Sequence, residues 1–443
     1  NGMFSNSNFN QDIGKWDVSN VTTMNSMFLW SDFNQDIGDW DVSSVTIFTA
    51  MLQNTPFNQD VGDWDVSSAT KMNDLFAGSQ FNHDINSWDV SNVTDMWGVF
   101  HATPFNQPLD KWDVSKVTRM VAMFSANAAF NQDISQWNVG NVTSMTSMFK
   151  NATSFNQDIG SWNVSNVTNM DQMFRAAKAF NQDISSWDVG SVTTMSNMFF
   201  DADVFDSDIN NWDVSSVINM NYMFGNTDIF NQDISNWNVS NVVSSVGMFM
   251  NADGFNQDIG TWDVANVSKM DNMFNLADVF NQDLSKWCVS NITSEPTGFS
   301  NTALIDANKP KWGKCPIDTS TVTVTLNSTS ISSTTSNGVT TTRYSIETQI
   351  NNNWTLPIEV TKVAILLPNG TSSESEEYNG DVESGSGKGM VWSFNNQTSA
   401  TITWTYKYED VEYDVVYSWE NQSGIAKEES GDNSKLGVSS SKN

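Results

Sequence analysis

A single tryptophan returns at nearly constant intervals along the first three quarters of the chain. The interval is 24 residues for four steps and 25 afterwards, and the series reads Trp16, Trp40, Trp64, Trp88, Trp112, Trp137, Trp162, Trp187, Trp212, Trp237, Trp262, Trp287 and Trp312. A fixed period of this length is typical of repeat architectures, in which one unit cannot bury its apolar face without its neighbours. The period therefore constrains the fold more tightly than the length of 443 residues does.

The spacing of apolar residues within one unit predicts two short elements. Ile134, Trp137 and Val139 have the spacing of a leucine-rich repeat and alternate with polar neighbours, which predicts a short half-buried strand. Val142 and Met145 open a series at steps of three and four, which predicts one face of a short helix or 3₁₀ segment. The predicted fold class is a leucine-rich-repeat-like solenoid of about twelve coils, each with one short parallel strand plus a short helix or 3₁₀ segment.

The repeated string reads Phe-Asn-Gln-Asp-Ile-Ser-x-Trp-Asp-Val-Ser-Asn-Val-Thr-x-Met-x-x-Met-Phe. It resembles the BspA-like leucine-rich-repeat surface proteins of bacteria and some protists, over residues 1 to about 316. The resemblance implies a secreted or surface-displayed protein linked to adhesion and to matrix or cell binding. It names no ligand.

The two cysteines stand where the repeat ends. Cys288 replaces the Asp or Asn that follows Trp in the other full coils, and Cys315 lies 27 residues later. One further coil would bring them close, so we predict a disulfide that fastens a C-terminal cap. Two free buried thiols or a redox pair are the alternatives. A disulfide would indicate an oxidising, extracellular compartment.

The sequence after residue 316 has a different character. Residues 317–422 are rich in Ser and Thr and carry several alternating segments separated by Asn-Gly turns, which predicts an all-β sandwich of the Ig-like kind. Residues 423–443 are polar and predict a flexible tail or linker. The predicted domains are therefore 1–316, 317–422 and 423–443.

The charge excludes several classes of function. The formal net charge is −31, and residues 1–316 hold −22 of it, close to two negative charges per coil. Such a chain is repelled by phosphate backbones and anionic lipid surfaces, which excludes nucleic-acid partners and argues against membrane association. No apolar stretch is long enough to insert into a membrane. Only two histidines are present, no distinctive carboxylate pair departs from the repeat, and we expect no enzyme.

Carboxylates recur directly after the tryptophans and form a candidate cation or ligand ladder. Because these residues alternate with buried Trp and Val, they are expected to point outward. Carboxylates stacked one coil apart repel each other unless they are solvated, hydrogen-bonded or bridged by cations, and Ca²⁺ is the hard cation that they favour. A solvated acidic face is the alternative, and we expect no other cofactor. The ladder comprises Asp17, Asp41, Asp65, Asp89, Asp113, Asp188, Asp213 and Asp263.

A second set of residues is interpreted as structural. Asn and Asp of the Phe-Asn-Gln-Asp string suit turns, and stacked amides can bond from coil to coil. This structural turn ladder is represented by Asn131, Asp133, Asn156, Asp158, Asn181 and Asp183. Trp30, Trp97 and Tyr222 are extra aromatic residues, to be read either as surface anchors or as local packing.

Two functions remain open at this point. The first is a secreted or cell-surface adhesin-type module whose solenoid face binds a protein or glycan on a host, on matrix or on a neighbouring cell. The alternative is a structural subunit of an extracellular filament, sheath or surface layer, which requires self-association.

Overall fold

The structure is a computed structural model that describes residues 2–300, 303–316, 322–336, 338–352, 358–367, 371–375, 380–382, 386–395, 399–408 and 411–420. The chain divides into two compact units, Asn1–Pro316 and Ile317–Asn443. The predicted tail at 423–443 lies outside the described residues.

The first unit is a stack of coils in parallel register. Isolated bridges join each coil to the next at the repeat spacing, beginning with Thr23 to Ile47 and running on to Ser244 and Lys269. Alternate backbone N–H groups also donate to the following coil, as from Met24 to the carbonyl of Ile47. Equivalent positions of successive coils therefore lie in rows along the stack.

The segment between the two methionines of each coil is not helical. Met27 N–H donates to Met24 O, and this i to i+3 turn contains Ser26 at φ 56°. A second turn follows, in which Ser31 N–H donates to Phe28 O. Because positive φ occurs twice in most coils and alternate N–H groups donate to the next coil, the bonds from N–H(i) to O(i−4) of an α-helix cannot form.

The core of the stack consists of rows of identical side chains. The ring centres of Trp137 and Trp162 are 6.5 Å apart in a stacked arrangement, and those of Phe149 and Phe155 are 3.8 Å apart. Eleven tryptophans, from Trp40 to Trp287, donate from Nε1 to a main-chain carbonyl of the preceding coil at 3.0–3.1 Å. Each indole is therefore buried with its only polar atom satisfied.

The stack ends in a segment fixed by a disulfide. Cys288 and Cys315 are bonded to each other. Val289 N–H donates to Lys314 O beside them, and the ring of Trp312 meets Phe299 edge-on at 4.8 Å. The 3₁₀ helix η1, Asp306–Asn308, lies in this segment.

The described residues of the second unit form eight strands: β1 (Val322–Ser336), β2 (Val339–Asn352), β3 (Ile358–Leu366), β4 (Ser372–Ser375), β5 (Gly380–Val382), β6 (Ser386–Asn395), β7 (Ser399–Tyr408) and β8 (Val411–Glu420). One sheet has the order β1-β2-β6, and the other has β4-β3-β7-β8 with β5 also paired to β3. All pairs are antiparallel. Trp404 Nε1 on β7 donates to Thr348 Oγ1 on β2 at 3.2 Å, and this buried bond joins the sheets.

The predicted fold class is wrong. The described residues contain no α-helix and only one 3₁₀ helix, η1, so they do not form a solenoid with a helix or 3₁₀ segment in each coil. The steps of three and four between Met residues reflect consecutive turns rather than a helical face. The Ig-like assignment is also not retained, because sheets of three and five strands differ from the four-plus-three arrangement of an immunoglobulin constant domain.

Candidate binding surface

The carboxylates of the candidate ladder accept hydrogen bonds from their own turns. The Oδ1 atom of Asp213 accepts the N–H of Ser215 at 3.0 Å, and Asp17 accepts both the N–H and the hydroxyl of Ser19. The same bond to the N–H two residues later forms at Asp17, Asp41, Asp65, Asp89, Asp113, Asp188, Asp213 and Asp263. These bonds act within one coil and close a turn.

The hydrogen bonds also affect ionisation. Donation from Ser19 lowers the pKa of Asp17, and donation from Ser215 lowers the pKa of Asp213 in the same way. Repulsion from the neighbouring carboxylate opposes this only as a minor cause, as Asp17 does for Asp41. The charged form is thus favoured locally even though the ladder is acidic.

A calcium site would need several oxygen ligands around one point. Within the described ranges, no group of three or more His, Cys, Asp or Glu residues could hold a metal ion. The ladder therefore presents exposed carboxylates one coil apart, each held by its own turn, and the structure does not gather them into a binding site.

The turn ladder joins the coils to each other. Asn131 Oδ1 accepts Asn156 N–H at 2.9 Å, and Asn156 Oδ1 accepts Asn181 N–H at 3.0 Å. The side-chain oxygens that accept the next coil's N–H belong to eleven asparagines and one aspartate: Asn10, Asn34, Asn58, Asn82, Asn106, Asn131, Asn156, Asn181, Asp206, Asn231, Asn256 and Asn281. The neighbouring Asp133, Asp158 and Asp183 close turns inside their coils.

A different set of positions changes from coil to coil. We define the variable surface as the rows that contain Asp171, Gln172, Arg175, Ala176 and Lys178 of the seventh coil. These rows follow the first repeated Met, and their side chains differ among coils in charge, size and aromaticity. The repeated Asn, Asp and Trp side chains bond to their own turn or to the neighbouring coil, whereas the variable surface differs in chemistry from one coil to the next.

The extra aromatic residues lie on the variable surface. Trp30 is 60% exposed and Trp97 is 43% exposed, which is unusual for indoles in this chain. The guanidinium of Arg119 lies over the Trp97 ring at 5.6 Å and contacts Asp95 at 3.2 Å. Trp97 is therefore both a packing partner and an exposed ring, while Tyr222 is half-buried.

An acid and a histidine lie near Trp97. Burial raises the pKa of Asp74, and the charge of Asp95 raises it further, whereas His101 acts in the opposite direction. His101 Nδ1 is buried with no hydrogen-bond partner among the described residues. The pKa of Asp74 on the variable surface is thus raised by burial, whereas hydrogen bonds lower the pKa of ladder carboxyls such as Asp213.

Sequence reasoning missed three members of this surface: Lys150, Arg175 and Phe200 occupy consecutive places in one row. These three residues are charged or aromatic, whereas other coils have small neutral residues in that row, such as Ala77 and Ser125, and this contrast could have identified them from the sequence. Phe200 is an aromatic residue outside the regular pattern, as are Trp30, Trp97 and Tyr222.

Comparison with known proteins gives a family and no function. A family model described as "Mycoplasma protein of unknown function, DUF285" matches residues 1–84, 77–179, 156–252 and 202–312. No curated protein matches the chain. A solved structure described as "X-ray structure of Northeast Structural Genomics Consortium target SoR45" covers 25% of this chain and 94% of its own, at 11% identity and a TM-score of 0.20. That likeness is too low to carry an argument.

No helix in the described part of the chain is long and apolar enough to cross a membrane.

Proposed function

Because the chain belongs to the DUF285 family, whose description states no function, we propose from the geometry that it is a secreted or cell-surface binding module of the adhesin type. Its coil stack would present the variable surface to a protein or glycan on another cell or on matrix. The module is proposed to bind rather than to catalyse.

The proposal rests on a difference between two kinds of row: the repeated rows bond the coils together, and the variable rows expose aromatic and charged side chains. Side-chain amides such as Asn156 and indoles such as Trp187 use their polar atoms in hydrogen bonds to the neighbouring coil. The rows of the variable surface instead expose Trp30 and Trp97 and hold ion pairs such as Lys178 with Asp203, at 2.7 Å. Exposed aromatic side chains beside charged groups are the usual anchors of recognition surfaces.

Two further features support an extracellular location. The Cys288–Cys315 bond fits an oxidising compartment. The repeated string resembles BspA-like surface proteins, a finer assignment than the family match, and we propose it as such. Self-association into a filament or surface layer is the competing outcome of the test.

The test compares the variable surface with the repeated rows. The full chain is applied to cultured cells, immobilised matrix and a glycan array, and its mass is measured by light scattering in parallel. We expect saturable binding that Trp97→Ala, on the variable surface, reduces and that Asp213→Asn, in the carboxylate ladder, leaves unchanged. A chain that binds none of these surfaces, or that polymerises and binds only as a polymer, would contradict the proposal.

A further inference from the structure

Five residues of the sixth to ninth coils form a cation–aromatic cluster on the variable surface. They are Lys150, Gln172, Arg175, Phe200 and Tyr222, and all five are half-buried. Lys150, Arg175 and Phe200 are consecutive in one row, while Gln172 and Tyr222 belong to the adjacent row. The parallel register of the coils brings the five side chains together, although they are up to 72 residues apart in sequence.

One amide oxygen draws the two cations together. Lys150 Nζ donates to Gln172 Oε1 at 2.7 Å, and Arg175 Nη1 donates to the same oxygen at 3.4 Å. Two positive groups that share one neutral acceptor lie close enough to contact a single anionic group. Two cations arranged in this way can bind one carboxylate between them, and the amide oxygen of Gln172 lies where one carboxylate oxygen would lie.

The aromatic residues of the cluster hold the guanidinium of Arg175 in position. Arg175 Cζ lies 5.0 Å from the centre of the Phe200 ring, and Phe200 meets Tyr222 edge-on at 6.1 Å. The ring therefore holds the guanidinium plane in position, since an aromatic face attracts a cation. A positioned guanidinium loses less side-chain entropy when it binds an anion.

Two glycines make room for the rings. A Cβ at Gly225 would lie 2.9 Å from Phe200 Cδ2, and a Cβ at Gly247 would overlap the ring of Tyr222. Both glycines follow their aromatic residue by one coil in the same row. Each ring therefore lies against the backbone of the next coil, and a side chain at either glycine would displace it.

The cations of the cluster lack the acidic partners found elsewhere. Lys178, nearby in the repeat, contacts Asp201 at 2.9 Å and Asp203 at 2.7 Å. Among the described residues, no carboxylate forms an ion pair with Lys150 or Arg175. Burial lowers the pKa of Lys150, and the charge of Arg175 lowers it further. In a unit with a net charge of −22, these two cations are left without an anion.

We propose that the cation–aromatic cluster binds the carboxylate of an acidic sugar residue on a glycan, with Lys150 and Arg175 contacting the carboxylate and Tyr222 contacting the sugar ring. This inference rests on the proposed function, since it names the ligand class of the same surface. Tyr222 supplies an apolar ring and a hydroxyl, the two features that a sugar ring contacts.

The surrounding charge selects a single carboxylate over a polyanion. The potential of an acidic unit repels a ligand in proportion to the ligand's charge, and this repulsion extends over about 8–10 Å at moderate salt. A glycan with one carboxylate brings one negative charge to the clamp and is repelled little. An acidic peptide or sulfated polysaccharide brings many charges and is excluded by the same field.

The experiment titrates the full chain with 3′-sialyllactose, with neutral lactose and with polyglutamate, by calorimetry or ligand-observed NMR. We expect binding of sialyllactose that weakens as NaCl is raised, and no comparable binding of lactose or polyglutamate. Arg175→Ser and Lys150→Ser, which introduce the residue that Ser125 contributes to the same row, should each weaken sialyllactose binding roughly tenfold. Tyr222→Asn, for which Asn197 and Asn272 provide the backbone precedent at positive φ, should weaken it about threefold to tenfold.

The control is Lys269→Ser, which removes one positive charge from a row that already carries Ser144 and Ser244. It should leave the affinity unchanged, and circular dichroism should show that every variant is folded. Failure to bind sialyllactose, equal binding of lactose, stronger binding of polyglutamate, or full affinity in both Lys150→Ser and Arg175→Ser would each overturn the proposal. If the chain still binds cells or matrix in those cases, the proposed function stands and only the ligand class fails.

Discussion

Trp187 in the coil stack and Trp404 in the sheet unit are both buried, and both donate a hydrogen bond from Nε1. Trp187 donates to the main-chain carbonyl of Ile159 at 3.0 Å, whereas Trp404 donates to the hydroxyl of Thr348 at 3.2 Å. The first acceptor is backbone and is available in every coil regardless of sequence. The second is a side chain on one strand of one sheet. The stack therefore depends on a contact repeated in each coil, and the sheet unit depends on a contact made once.

This difference affects how the stability cost of a substitution should depend on its position. Each coil of a repeat stack contacts only its neighbours, so its stability is a sum of similar local contributions. The sheet unit instead joins distant strands, since β2 and β7 lie 56 residues apart at the Thr348–Trp404 bond. A substitution in the stack should have nearly the same cost in any coil, whereas a substitution at the sheet contact has no equivalent elsewhere.

The largest expected effect tests this equivalence in the core of the stack. Ser245 stands where most other coils have Met, in a gap lined by residues that include Met220, Met248 and Met273. Met195→Ser should create such a gap in another coil and lower the free energy of unfolding by about 2–4 kcal/mol. Ser245→Met should fill the natural gap and raise it by about 1 kcal/mol.

Urea unfolding followed by tryptophan fluorescence measures both changes. Met170→Ser, in the same row and away from the Ser245 gap, is the matched control, because the equivalence of coils predicts a loss similar to that of Met195→Ser. Losses that differ by more than about 1.5 kcal/mol between the two sites, or a destabilising Ser245→Met, would contradict the repeated-contact description.

The second prediction addresses the sheet contact. Thr348→Val keeps the shape of the side chain but removes the hydroxyl that accepts the hydrogen bond of Trp404 Nε1 inside the core, which should cost about 1–3 kcal/mol. Trp187→Phe in the stack removes a donor but leaves a carbonyl, and the expected cost of the lost hydrogen bond is smaller, about 1 kcal/mol, with the lost ring area added. Double-mutant combination with Trp404→Phe checks the assignment, since the Thr348→Val penalty should then largely disappear.

The third prediction concerns the amide ladder. Asn156 Oδ1 accepts the N–H of Asn181 at 3.0 Å and the amide of Gln182 at 2.9 Å. Asn156→Ala should therefore lower the free energy of unfolding by about 1 kcal/mol, while Asn156→Asp should be nearly neutral because Asp206 already accepts Asn231 N–H in the same row. Thermal melts of the two variants measure the difference, and an equal loss in both would show that the acceptor oxygen is not what the ladder requires.

The sequence predicted the rows better than the path of the backbone. Asn131 and Asn156 could be assigned to coil-to-coil bonding because an amide repeated once per coil has its equivalent one coil away. The short helix or 3₁₀ segment predicted from Val142 to Ala152 was wrong because steps of three and four are produced equally by consecutive turns. Ser147 adopts φ 57° there, and because serine rarely adopts a positive φ, the sequence gives no indication of this turn.

The cation–aromatic cluster could not be predicted for a related reason. Lys150 and Tyr222 are distant in sequence, and their proximity depends on which rows adjoin. That adjacency follows from the turns after each Met, where the sequence predicts a short helix or 3₁₀ segment. A correct backbone path was therefore needed before the variable positions could be grouped into one surface.

The smallest expected effect is a pH dependence at the carboxylate ladder, where a repeated position holds Asp in some coils and Asn in others. Donation from Ser215 lowers the pKa of Asp213 below its ordinary value. A carboxyl with a lowered folded-state pKa contributes stability above its unfolded pKa of about 3.9 and loses that contribution as the pH falls through the folded-state pKa. Asn238, which accepts Ser240 N–H at 3.2 Å, shows that an amide keeps the turn without the charge.

Asp213→Asn should therefore gain stability relative to the parent chain as the pH falls from 7 to 3. The gain should stay below about 0.5 kcal/mol, since solvent screens an exposed carboxylate. Melting temperatures of both proteins at pH 7, 5 and 3 measure it. If repulsion along the ladder dominated instead, the pKa of Asp213 would be raised and the variant would lose its relative advantage at low pH. The sign of this small difference thus separates a row of carboxylates held by their own turns from a row held apart only by solvent.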